Sequence, residues 1–202
     1  APLASTGEVK LRITAKAQGR DMAREMVMVV EGQVRRILGD HIYGVDDETI
    51  PDAVGRLLEE RGTSVATLEA CTAGQLSAAL ASASTGAERF VGGLVAHEPG
   101  LLKEFGVDPG LLAAHGVVSE EVVRAMATLA RSRMQVQIGL AVVCGVEDGV
   151  AEGQRMGIVH CAVDDRGEVV SATSRYTTTQ REVRRRSALD AVDLLRRRLL
   201  AR

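Results

Sequence analysis

The sequence has no tryptophan and only two tyrosines and two phenylalanines among its 202 residues. With so few rings it lacks the aromatic platforms on which single-stranded nucleic acid stacks. Its core must instead be built from Val, Leu, Ala, Ile and Met. An excess of one charge is also lacking, since 25 Lys and Arg stand against 27 Asp and Glu for a net charge of −2. That balance argues against nucleic acid or a membrane surface as a partner. No apolar run is long enough to span a bilayer, and no segment has the build of a signal peptide. Cysteine is scarce: Cys71, Cys144 and Cys161, an odd number inside apolar segments with no metal-ligand spacing. They read as reduced thiols in a cytoplasmic protein, with no metal and no cofactor implied. The chain opens at Ala1 and enters a strand pattern almost at once, so it is expected to be a processed product or a piece of a longer protein.

What is present is clear periodicity. Residues 8–17, EVKLRITAKA, alternate apolar and polar and predict a half-buried strand. Residues 20–38 place Met22, Met26, Val29, Val30, Ile37 and Leu38 at helical spacing, with Gly39 as a stop. HIYGV, residues 41–45, reads as a second short strand, and this α+β unit closes at residue 47. Residues 48–202 then alternate helices with apolar strands. Thr49 and Pro51 open a helix that Gly62 follows, residues 63–70 form a strand and 72–84 an Ala-rich helix. Another strand at 89–97, helical pieces at 99–105 and 108–115, and a helix capped by Ser119 come next. Three strands follow, the last two joined by the turn DDRGE, and an Arg-rich helix begins at Gln180. This order predicts a layered α/β domain with a mixed sheet.

The stretch LEACTAG, residues 68–74, lies where a strand gives way to a helix. Free amides and the helix dipole make such a junction a site for an anion or a developing oxyanion, although most such turns simply pack. It gains weight from its company. LEACTAGQLSAAL, FVGGLVAH, LLAAHGVVSEEVVRAMA, MGIVHCAV and REVRRRSALDAVDLL occur in order, and together they resemble the C-terminal domain of the CinA (competence/damage-inducible) family. LRITAKA and LGDHIYG resemble the small KH-type domain that precedes it. The resemblance implies a KH-like α+β domain at 1–47 and a three-layer α/β/α domain with a mixed sheet at 48–202. It also implies an upstream molybdopterin-binding-like domain, which in some members hydrolyses ADP-ribose.

The family's C-terminal domain is a metal-free nicotinamide mononucleotide (NMN) deamidase. Its motif Glu-Ser-Cys-Thr-Gly-Gly supplies a serine nucleophile, assisted by a Tyr and a Lys, because a hydroxyl attacks poorly until a base takes its proton. Here Ala70 stands at the serine position, His97 at the tyrosine position and Leu102 at or beside the lysine position, with Lys103 next to it. The family's glycine-rich loop shrinks to GVEDGV, its Lys-Pro becomes Gln154 and Arg155, and of its Gly-Asp-Arg only Arg181 remains. No catalytic residue of the family pattern is intact. By the same resemblance Glu69, Cys71, Thr72, Ala73, Gly74 and Arg181 are the substrate-binding candidates.

Each candidate has a plainer role. Thr72 suits a helix N-cap, and Glu69, ending a buried strand, suits a structural hydrogen bond. A Cys71–His97 dyad is a possible replacement nucleophile, but alternation along a strand points Cys71 away from the face of residue 70. His41 and His160 read as structural, and the Arg-rich helix as a solvated face or subunit contact. The KH-like unit has no Gly-x-x-Gly loop to clamp RNA. The sequence therefore points to a degenerate deamidase homologue that retains a site for a pyridine nucleotide or related small molecule and forms a homodimer. Two alternatives stay open: an active amidohydrolase rebuilt around His97, Lys103 or Cys71, and a dimerisation module supporting the upstream domain.

Overall fold

In the computed structural model the described residues are 2–5, 8–148, 155–177 and 179–201. They form two compact units, Ala1–Val45 and Asp46–Arg202.

The first unit is a hairpin of β1 (Pro2–Ser5) and β2 (Glu8–Leu11) followed by α1 (Arg20–Leu38). The helix has the bounds its apolar stripe predicts and stops at Gly39, whose φ of 49° ends the helical path. The expected strand over 8–17 is shorter, because β2 runs only as far as its partner and Pro2 already faces Leu11. The expected strand over 41–45 does not form. Gly39–His41 makes a 3₁₀ turn instead, and Tyr43 hydrogen-bonds the Glu8 carboxylate at 2.7 Å.

The second unit is a three-layer α/β/α domain. Its five-stranded sheet runs in the order β4 (Phe90–Ala96), β3 (Val65–Ala70), β5 (Ile138–Asp148), β6 (Arg155–Asp165), β7 (Glu168–Thr177). The first three are parallel and the last two join by antiparallel pairing. The β6–β7 turn carries φ of 56° at Arg166 and 98° at Gly167, the tight two-residue geometry that the DDRGE segment predicts. One face of the sheet is covered by α6 (Glu120–Arg133), the other by α7 (Gln180–Leu200), against which α2 (Ile50–Glu60) and α3 (Gln75–Ala81) pack. Close approach is built in: a Cβ on Gly139 of β5 would lie 1.9 Å from the Ala127 carbonyl of α6.

All six residues of β3 are buried, as a central parallel strand between two layers requires. The chain leaves β3 through α3 to β4 on one side. It returns through α4 (Leu101–Phe105), α5 (Pro109–His115) and α6 to β5 on the other. The carboxyl end of β3 is thus the point where the strand order reverses, the customary place for a ligand crevice in an open α/β sheet.

Candidate functional site

Three ends converge there. Ala70 closes β3 opposite Ala96 of β4 and Val143 of β5, so the next residues in register are Cys71, His97 and Cys144. Side-chain alternation gives the two sides of β3 different work. Ala70 joins an apolar cluster with Leu68, Ala96, Leu102, Val122 and Met126 on the α6 side. Glu69 points the other way and is fully buried.

A buried carboxylate needs donors, and Glu69 has five. Its Oε2 accepts from the Thr72 hydroxyl, from the Gly74 amide at 3.1 Å and from the Leu76 amide at 3.2 Å. Its Oε1 accepts from the Ser77 amide at 3.1 Å and the Ser77 hydroxyl at 2.6 Å. The Ser77 hydroxyl is in turn 2.9 Å from that of Thr67. The carboxylate therefore occupies amides that an incoming anion would use, and of the turn's N–H groups it leaves aside those of Thr72 and Ala73. This arrangement also corrects the expected helix over 72–84. Cys71, Ala73 and Gly74 adopt φ of 104°, 54° and 91°, outside the helical basin, and α3 starts only at Gln75. Gly74 is its N-cap, so Thr72 does not cap the helix; its hydroxyl serves Glu69. Positive φ at two non-glycine residues costs about 1–3 kcal/mol each and persists only where surroundings hold it.

The cysteines depart most from expectation. Cys71 and Cys144 form a disulfide, with Cα atoms 5.6 Å apart, rather than remaining thiols. The parallel register explains the pairing: one step beyond Ala70–Val143 places them side by side, although 73 positions separate them in sequence. Cys161 alone is a free thiol, and burial holds its pKa well above the ordinary range. With its sulfur bonded to Cys144, Cys71 is not available to His97 in a nucleophilic dyad.

The remaining candidates differ in exposure. His97 follows β4 directly and is exposed. Leu102 is fully buried in the apolar cluster, so the position assigned to the family's lysine cannot present an ammonium without burying it, whereas Lys103 is exposed. Arg181 is exposed in the first turn of α7. The short GVEDGV loop reaches only residue 148 among the described residues, and Gln154 lies outside them. His160 sits elsewhere, bonded through Nδ1 to the Thr173 hydroxyl at 2.8 Å. Among the described residues no three His, Cys, Asp or Glu side chains are grouped to hold a metal ion, and no helix is long and apolar enough to cross a membrane.

Sequence models of two domains match the chain: the CinA C-terminal domain over residues 47–199 and the damage-inducible protein CinA KH domain over 1–44. The chain belongs to the CinA family. It is 40% identical over 206 residues to a CinA-like protein of Gloeobacter violaceus, covering 99% of this chain and 48% of that protein. With a CinA-like protein of Rippkaea orientalis the identity is 36% over 208 residues, covering 100% and 50%. The chain thus spans about half the length of these relatives. Among solved structures it is similar to a competence-damaged protein (CinA) superfamily protein of Klebsiella pneumoniae, with a TM-score of 0.67, 27% identity, and 76% of this chain and 97% of that chain covered. A competence or damage-inducible protein of Enterobacter asburiae gives a TM-score of 0.61 at 29% identity, covering 77% and 98%.

Within this CinA-family fold, sequence reasoning overlooked Ser77 and Thr67, which complete the Glu69 network, and Cys144, which ties the turn to β5. Ser77 lies eight residues after Glu69. A buried Glu followed by hydroxyl residues in the next helical turn is the signal that would have found it.

Proposed function

We propose that this chain is a catalytically silent CinA-type deamidase domain that binds a pyridine nucleotide or a related small molecule without hydrolysing its amide. One observation carries the reading: the turn offers no competent nucleophile. Ala70 has no hydroxyl, the Cys71 sulfur is bonded to Cys144, and the Thr72 hydroxyl is buried against Glu69. Acyl transfer needs a nucleophile that can both reach the substrate and give up a proton to a base; the first two groups have no such proton, and the Thr72 hydroxyl, fully buried, is out of reach. What the turn keeps is an exposed Ala73, and the exposed Arg181 in the first turn of α7 is the cation we assign to a phosphate.

Thermal-shift titration with NMN, nicotinic acid mononucleotide and ADP-ribose tests the binding half, because a ligand of the native state raises the melting temperature with occupancy. A shift with one of them, weakened by Arg181→Ala, supports it; no shift with any removes it. The same reading includes a symmetric homodimer. Strand β4 is a sheet edge whose Val91 and Val95 are 56% and 37% exposed, an apolar edge of the kind that soluble proteins cover.

A further inference from the structure

The Cys71–Cys144 bond lies where the backbone ladder gives out. β3 pairs with β5 up to Ala70–Val143 and then turns away, while β5 continues to Asp148. The sulfur bridge is therefore the first link past the last rung, and it fixes the turn to β5 from one side. Glu69 fixes the same turn from the other, through Thr72 and Gly74. Between these two anchors sit Cys71 and Ala73 at φ of 104° and 54°. Backbone in such regions relaxes when a restraint is removed.

Both cysteines are half-buried, so an attacking thiolate has a path to the bridge that it lacks to Cys161, which is buried and donates to the Ser187 carbonyl. The pair is thus self-contained: among the described residues the remaining thiol stands on the face against α7 and cannot exchange with it without unfolding. We propose that Cys71 and Cys144 form a reversible thiol–disulfide exchange site, served by a dithiol protein reductant, that sets whether the 70–74 turn is clamped or released.

The step balances. A thiolate of the reductant attacks one sulfur of the bridge; the S–S bond breaks and the other sulfur leaves as a thiolate that takes up a proton. The reductant's second thiol, as its thiolate, then attacks the reductant sulfur of the mixed disulfide, and that S–S bond breaks to expel the remaining protein sulfur as a thiolate that takes up a proton. The reductant ends as a disulfide, and Cys71 and Cys144 end as two thiols, having gained two electrons and two protons. Released, Cys71 is a free thiol beside Ala70, and of the two anchors only Glu69 still holds the turn. The exchange does not depend on which small molecule, if any, the turn holds.

The test uses the whole chain under native conditions. Oxidised protein is treated with iodoacetamide before and after incubation with a reduced thioredoxin-type protein, and peptides are mapped by mass spectrometry. Expected are no alkylation at 71 and 144 before, alkylation at both after, none at Cys161, and an unchanged far-ultraviolet circular dichroism spectrum. Hydrogen exchange at the amides of residues 71–77 should quicken at least about tenfold on reduction, while that of α6 stays constant. Oxidised glutathione, added to reduced protein before any alkylation, should restore protection from iodoacetamide and slow exchange, and Cys144→Ser should exchange like the reduced protein. Thiols that are alkylated from the outset and stay so under oxidant overturn the proposal. So do thiols released only in denaturant, exchange at 71–77 that ignores redox state, or Cys144→Ser protected like the oxidised chain.

Discussion

Glu69 Oε1 receives both the amide and the hydroxyl of Ser77, at 3.1 and 2.6 Å, so one buried carboxylate anchors the first turn of α3. Glu69→Gln exchanges an oxygen acceptor for an NH₂ group that faces other donors. Hydrogen bonds to charged groups contribute about 1.5–3 kcal/mol, and an orphaned buried donor costs a similar amount. Chemical denaturation should show a loss of about 3 kcal/mol for Glu69→Gln. A loss below about 0.5 kcal/mol, the range of ordinary surface substitutions, would mean the network does not hold the turn.

Gly93 of β4 reaches the same network from the neighbouring strand. A Cβ there would sit 2.2 Å from the Thr67 hydroxyl and 2.3 Å from that of Ser77. Gly93→Ala should therefore push Ser77 off Glu69 and destabilise the domain by about 1–3 kcal/mol, as overpacking does. The effect should shrink in a Ser77→Ala background and largely vanish only when Thr67→Ala is added, a mutant cycle that ordinary strand propensity would not produce.

Asp52 supplies the pH dependence. Burial opposes its charge, but hydrogen bonds from Thr49 and from the amide and hydroxyl of Ser84 outweigh that and hold its carboxyl far below the usual carboxylate range. A depressed folded-state pKa stabilises the protein above the unfolded value of 3.8, and that stabilisation is lost as pH falls through the folded value. The stability gap between the parent protein and Asp52→Asn should be constant from pH 7 to about 5 and narrow below about 4. A gap that widens on acidification contradicts this.

Dimerisation should be visible directly. Light scattering at tens of micromolar should give twice the chain mass, with well over roughly 1,000 Å² buried. Val91→Lys, on the exposed edge of β4, should give a monomer with its circular dichroism intact. A parent protein that is already monomeric removes the homodimer.

Much of the fold was legible because local signals agreed with long-range packing. The stripe of α1, the Thr49 cap and Pro51 of α2, and the Ser119 cap of α6 each mark an element that the structure contains. HIYGV carried a strand's composition but had no partner strand, and pairing cannot be read from one segment. At the site, the loss of the serine at Ala70 was plain in the sequence. The geometry around it was not, because it depends on register. That Cys71 meets Cys144 follows only from β3 lying parallel to β5 with Ala70 opposite Val143. Likewise, the amides of the turn looked free until Glu69 was found beneath them.

Ammonia release from NMN tests the central claim most directly. Losing a serine nucleophile typically costs a hydrolase about a million-fold, and the loss is not additive with that of its partners. With the Cys71–Cys144 bond intact, the protein should release ammonia about a million-fold more slowly than a deamidase with the intact motif, and Ala70→Ser alone should restore little, since no matched base stands beside it. Turnover approaching that of a deamidase with the intact motif, abolished by Cys71→Ala or His97→Ala, would contradict the account and establish a rebuilt site.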